Sequence, residues 1–150
     1  MSFLAKLQAL LAKIGRFLQS PVLLVIRLYW GYQLVVTGYA HLTHLAKLAS
    51  YFESLNIPAP KFSAICSSST ECIGGALLLI GLCSRFAAAA IICVMCTALW
   101  TAEHEAVVKI FSDPDKFLGT DPFLFLYAAV LVFAFGPGRI SVDAMTGAEK

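Results

Sequence analysis

Charge is what this chain of 150 residues has least of: Asp, Glu, Lys and Arg make up 13% of it, about half the share of a soluble globular domain. So little charge cannot cover the surface of a small monomer, because small domains expose much of what they contain. Hydrophobic residues reach 59% and the mean hydropathy is +0.81, so the surplus apolar surface has to face lipid. A formal net charge of +2, with no basic patch interleaved with aromatics, excludes nucleic acid as a partner. Five cysteines are too sparse, and odd in number, for a secreted disulfide scaffold. Catalytic signatures are missing too. There is no HExxH, CxxCH, nucleophile elbow, phosphate loop or dinucleotide fingerprint, and no serine stands with His and Asp as a triad would.

What is present is helical patterning on the scale of one domain. In residues 1–20 the apolar positions Phe3, Leu4, Leu7, Leu10, Leu11, Ile14, Phe17 and Leu18 recur every three or four residues, off which lie Lys6, Lys13 and Arg16. No acidic residue precedes Glu53. A cleavable signal would need a continuous apolar core; this spacing predicts a basic amphipathic helix lying in a membrane interface. Four apolar windows follow, at 21–39, 62–82, 86–101 and 122–135. Ser20 is the expected cap of the first and Pro21 its first helical residue. A span needs about 20 residues, so the first two qualify outright and the last two are short; Arg85 and Arg139 stand where they can reach an interface. Lys and Arg lean mildly toward the side holding both termini, which predicts cytoplasmic termini. The two loops on the other side, from Ala40 to Lys61 and from Ala102 to Asp121, are long enough to expect function there.

Ionisable residues inside spans are costly and normally have a partner. Arg27 shares a stripe with Gly31, Leu34 and Gly38, and Glu71 shares one with Gly74, Gly75 and Leu78. The glycines invite close helix packing. Arg27 lies about 7 Å shallower than Glu71, within reach of a guanidinium, so the two are expected to pair, the alternative being a ligand or proton-coupled site. On the outer side, His41, His44 and His104 offer imidazoles near carboxylates. His41 extends the Arg27 stripe, and His104 follows Trp100 between Glu103 and Glu105. Such groups suit proton exchange with a ligand such as a quinol, or, more weakly, copper or zinc binding by His41, His44 and His104. Cys93 and Cys96 form a CxxC inside an apolar window, where small side chains serve helix packing rather than thiol chemistry.

From Pro21 onward the chain resembles the DoxX family of small prokaryotic membrane proteins. The features that carry the likeness are Ile26-Arg27-Leu28, Thr37-Gly38-Tyr39-Ala40-His41-Leu42, Thr70-Glu71-Cys72-Ile73-Gly74-Gly75, the turn Gly81-Leu82-Cys83-Ser84-Arg85 and the closing Gly136-Pro137-Gly138-Arg139-Ile140-Ser141-Val142-Asp143. Where many members have Gly-x-x-Lys after the first span, this chain has Gly38-Tyr39-Ala40-His41. The resemblance implies a four-helix membrane bundle often linked to redox complexes, one relative accompanying thiosulfate oxidation with electron delivery to quinone and others tied to thiol-stress or metal-related systems.

The expected architecture is all-α: an interfacial helix over 1–20, a four-transmembrane-helix bundle over 21–143 and a short tail over 144–150. The expected place is the cytoplasmic membrane of a prokaryote. The expected role is a membrane subunit of a redox-linked complex, not catalytic alone, offering a quinone- or lipid-accessible cavity to a membrane or periplasmic redox partner. The alternatives are a structural or docking protein and a metal-handling protein.

Overall fold

A computed structural model describes residues 3–147. The elements are α1 (Phe3–Thr43), α2 (Leu45–Ser54), α3 (Pro60–Ile80), α4 (Ser84–Thr101), α5 (His104–Val108), α6 (Pro114–Leu118), α7 (Asp121–Phe135) and α8 (Val142–Thr146). Among the described residues there is no strand. α1 packs on α3, α3 on α4, α4 on α7, and α7 returns to α1, so four helices close into a ring. Leu34, Leu78, Ile91, Met95, Ala129 and Val132 fill its centre. Three of the four, α1, α3 and α4, are long and apolar enough to cross a membrane. The fourth, α7, is apolar but only 15 residues long, or about 22 Å. The chain is an integral membrane bundle. Its α3–α4 turn and closing segment form one end, called here the turn end; α2, α5 and α6 cover the other, the loop end.

The first helix differs from its expected division. It runs unbroken from Phe3 to Thr43 with Pro21 inside it, so no boundary separates the amphipathic segment from the first span, and the short tail includes part of α8. Ser20 does not cap a new helix. Its hydroxyl accepts the Arg139 backbone N–H at 2.6 Å, tying the start of the span to the closing segment.

The inward face of α1 is Leu23, Arg27, Gly31, Leu34 and Gly38. Glycine lets α3 come close: a Cβ on Gly38 would lie 2.5 Å from the Cys72 nitrogen, and one on Gly75 would lie 2.7 Å from the Leu34 Cβ. Gly31 faces Gly75, whereas Gly74 turns the other way, toward Ile91 of α4.

Arg27 is 2% exposed, and the structure separates it from Glu71. Its Nε donates to the Leu78 carbonyl at 2.9 Å and one terminal nitrogen to Leu79 at 3.4 Å. The other donates to the carbonyls of Pro137 and, at 3.0 Å, Ile140. The expected pairing fails for a simple reason. Helix α3 ends at the level of Arg27, and the carbonyls of its last turn have no intrahelical partners. Those acceptors are nearer than Glu71, which lies about two turns higher on α3. The Gly81 and Leu82 N–H groups satisfy Leu77, Gly81 also reaches Leu78 at 3.2 Å, and Arg27 completes Leu78 and takes Leu79. Gly81 is required here, because its φ is +71° and a Cβ would sit 2.7 Å from the guanidinium.

On the other side of the same turn, Asp143 receives the Cys83 N–H on one carboxylate oxygen and the Ser84 N–H on the other, each at 2.8 Å. It thereby caps α4 from a distant part of the chain, at the end where a helix favours negative charge. Its own N–H donates to the Gly81 carbonyl at 2.9 Å. Burial would raise the Asp143 carboxyl, but hydrogen bonding from Ser84 and Cys83 and the charge of Arg27 outweigh it and hold the group below its ordinary value.

Arg27→Met should therefore cost about 3–5 kcal/mol in detergent unfolding, because it strands buried carbonyls. Arg27→Lys should recover little, since one ammonium cannot reproduce the planar fork. The Asp143 contribution should be complete at neutral pH and lost as pH falls below about 4, because its folded value lies under the unfolded one. Thermal midpoints of the parent and Asp143→Asn should differ at pH 7 and converge toward pH 3.

Candidate functional site

At the loop end, α1 outlasts the bundle's apolar interior and delivers His41 beside the middle of α3. His41 Nδ1 lies 3.0 Å from Glu71 Oε2, with the His41 side chain 41% exposed and that of Glu71 12%. The carboxylate accepts, so Nδ1 carries the proton; in the neutral ring Nε2 is then the acceptor. Glu71 thus has a partner inside its span, but that partner is a histidine from the mouth rather than the arginine from the turn end. Sequence spacing placed His41 on the Arg27 stripe and Glu71 mid-span without linking them. The link follows from Gly38, which lets α1 sink onto α3 at Ser68 and Cys72.

His41 also lines a cleft of about 400 Å³ with Ala40, His44, Lys47, Leu48 and Tyr51. That volume is within the range of small-molecule sites. A second, larger cleft of about 800 Å³ runs along the opposite side of α2, with Ala46, Ala49, Phe62 and Ile65 in its walls and Glu53 and Lys61 among its polar groups.

Of the other expected site residues only His44 shares the cleft; Trp100, Glu103 and His104 lie elsewhere. His44 bonds the Ala40 carbonyl and the Thr43 hydroxyl, both at 3.0 Å. His104 meets Trp100 edge-on, with ring centroids 5.1 Å apart. Glu103 is bonded through its main chain, its N–H donating to the Ala98 carbonyl at 3.2 Å and its carbonyl accepting the Val107 N–H at 3.1 Å, and Glu105 is taken by lysines, 2.7 Å from Lys109 and 3.1 Å from Lys116. Those ammonium groups pull the Glu105 carboxyl down to about 2, which ties α5 to the start of α6. Among the described residues no three of His, Cys, Asp and Glu form a group able to hold a metal ion. The expected set His41, His44 and His104 fails because the first two sit beside α2 and the third on the α4–α5 corner. The five cysteines are free.

A family model described as DoxX matches residues 22–104, more than half of the chain. The chain belongs to the DoxX family. No curated protein and no solved structure matches it. The DoxX match contains Arg27, His41, Glu71 and the Gly81 turn, and it ends before α7. The closing segment over 136–143 lies outside it, yet supplies two carbonyls to Arg27 and the carboxylate that caps α4. In this DoxX chain the turn end is committed to holding the bundle together, whereas His41, bonded to Glu71, opens onto a cleft.

Because the two ends use separate partners, Arg27→Met and Glu71→Gln should be additive in stability to within about 0.5 kcal/mol. Glu71→Gln alone should cost no more than about 1 kcal/mol, since its imidazole partner remains partly hydrated. A double-mutant cycle in detergent measures both; coupling well above 1 kcal/mol would mean that Arg27 and Glu71 interact after all.

Proposed function

We propose that this DoxX protein is the membrane subunit of a redox-linked complex in the cytoplasmic membrane of a prokaryote, with both termini cytoplasmic. Its loop end offers a quinone-accessible cleft to a membrane or periplasmic redox partner. The observation that carries this reading is His41, held by its hydrogen bond to Glu71, in the wall of the 400 Å³ cleft. Reduction of a quinone to a quinol takes two electrons and two protons. The partner supplies the electrons, and this chain contributes the place and the proton path: His41 Nε2 faces the ligand's oxygen while Glu71 holds the ring and balances its charge. Imidazole suits that exchange because its charge changes near neutral pH, which a lysine does only after a large shift. Tyr51 and Leu48 give the cleft the apolar wall that a quinone ring needs.

The reading makes the chain a binding and proton-handling subunit rather than an enzyme by itself. Binding of a short-chain ubiquinone analogue to the purified protein in lipid nanodiscs tests it. Saturable binding should weaken about tenfold or more in His41→Ala, corresponding to at least about 1.4 kcal/mol, and less in Glu71→Gln. His104→Ala should bind as the parent does, because His104 is paired with Trp100 away from the cleft. Absence of saturable binding, or undiminished binding by His41→Ala, would leave the loop end as a docking surface for a protein partner.

A further inference from the structure

The larger of the two clefts beside α2 takes no part in the His41–Glu71 arrangement. It lies between α2 and the start of α3, with Ala46, Ala49 and Glu53 on one wall and Lys61, Phe62 and Ile65 on the other. The three α2 residues are three and four apart and share one face of their helix. The two ends of the cleft differ in chemistry. Glu53 and Lys61 flank the connection over 55–59 and make its outer end charged. Ile65 lies about 6 Å further along α3, toward the membrane. Phe62 is 68% exposed and Ile65 46%, so the inner end is an open apolar wall.

Both charges at the outer end are unmatched. Among the described residues neither the Glu53 nor the Lys61 side chain forms an ion pair, with the other or with a third group. Each is also of the sign that its own helix terminus disfavours. Glu53 stands in the last turn of α2, where the carbonyl end of a helix favours cations. Lys61 is the second residue of α3, where the amide end favours anions, and Ala59 ahead of it supplies no side-chain cap. The cleft therefore offers a cation position and an anion position side by side. A ligand's ammonium would meet Glu53 and the carbonyl end of α2, and its phosphate would meet Lys61 and the amide end of α3.

We propose that this cleft binds a zwitterionic phospholipid of the phosphatidylethanolamine class, with its phosphate at Lys61, its ammonium at Glu53 and the upper part of one acyl chain along Phe62 and Ile65. A primary ammonium brings three N–H donors to the carboxylate, in charge-assisted bonds; a trimethylated choline headgroup brings none. Phosphatidylglycerol would satisfy Lys61 but leave Glu53 facing a second negative charge. A soluble amine–phosphate would match both charges and leave the apolar wall bare, whereas a lipid chain covers it. The cleft, of about 800 Å³, has the size of a small-molecule site, enough for a headgroup and the start of a chain whose remainder stays in the bilayer. Helix α2 separates it from the His41 cleft, so the lipid site stands apart from the quinone reading.

Native mass spectrometry of the full chain in detergent, titrated with phosphatidylethanolamine, phosphatidylglycerol and phosphatidylcholine of the same acyl chains, tests this. The parent should bind phosphatidylethanolamine about tenfold or more tighter than either of the others. Glu53→Gln should lose that preference and favour phosphatidylglycerol. Lys61→Gln should weaken phosphatidylethanolamine binding by about tenfold or more. Both side chains are exposed, so the helical circular dichroism of these variants should match the parent's. Lys47→Gln, which removes a cation from the other side of α2, should bind as the parent does. So should His41→Ala, which separates this site from the quinone cleft. Equal retention of the three lipids by the parent, or an unchanged preference in Glu53→Gln and Lys61→Gln, would overturn the proposal and leave the cleft to bulk lipid. Competition by glycerophosphoethanolamine as strong as by the lipid would also overturn it, assigning the two charges to a soluble ligand.

Discussion

One guanidinium decides how this bundle closes. Helix α3 ends inside an apolar assembly, and a helix end leaves carbonyls without intrahelical partners. Water at a soluble protein's surface would satisfy them cheaply. At the edge of a bilayer each one left alone costs several kcal/mol. Arg27 supplies donors to two carbonyls of α3 and two of the closing segment, so α1, α3 and the chain after α7 have to meet at one point. Asp143 does the complementary work on α4, accepting the N–H groups of Cys83 and Ser84. Positive charge stands at the carboxyl end of one helix and negative charge at the amino end of the next, each matching the sign of its helix terminus. The two side chains attract each other as well, which makes the turn a shared electrostatic unit.

That closure separates the molecule into a committed end and an open one. At the turn end, the donors of Arg27 and both carboxylate oxygens of Asp143 are occupied by backbone. Arg85 adds a further bond of the same kind, donating to the Phe133 carbonyl near the end of α7 at 3.1 Å. At the loop end side chains bond one another, His41 to Glu71 and Glu105 to Lys109 and Lys116, and the clefts beside α2 have charged and apolar residues side by side. Glycine packing along α1 and α3 joins the two ends. The same contact that seats Gly38 on Cys72 brings His41 to Glu71.

The sequence made the helical class, the apolar windows and the inward stripe of α1 legible, because those depend on periodicity alone. Spacings of four, three and four through Arg27, Gly31, Leu34 and Gly38 mark the buried face directly. Partner choice was not legible. Depth arithmetic put Arg27 within reach of Glu71, but the competing acceptors are main-chain carbonyls, which every residue carries and no sequence pattern singles out. Gly81 was the available signal: a glycine ending an apolar window at the depth of a buried arginine indicates where a helix stops and which carbonyls are exposed. His41 and Glu71 were each singled out, but their meeting depends on how far α1 sinks onto α3. That distance is a property of packing rather than of spacing. His104 and Glu105 were read as one acidic-histidine group, whereas indole and ammonium neighbours divide them.

Pro21 shows how tertiary contacts override a local rule. A proline inside a helix removes one main-chain donor and crowds the preceding turn, at a cost of about 3 kcal/mol. Taken alone, Ser20-Pro21 reads as a helix start. In this fold the Ser20 hydroxyl serves Arg139 instead, and Gly138, at φ +81°, lies so close that its Cβ would be 3.0 Å from that hydroxyl. The closing segment therefore grips α1 at the residue before the proline and carries on to Arg27 about two turns further in. A helix held from both sides of its weak point has no room to end there. The continuity of α1 is thus a consequence of the same closure that Arg27 imposes, and it is what joins the amphipathic segment to the first span.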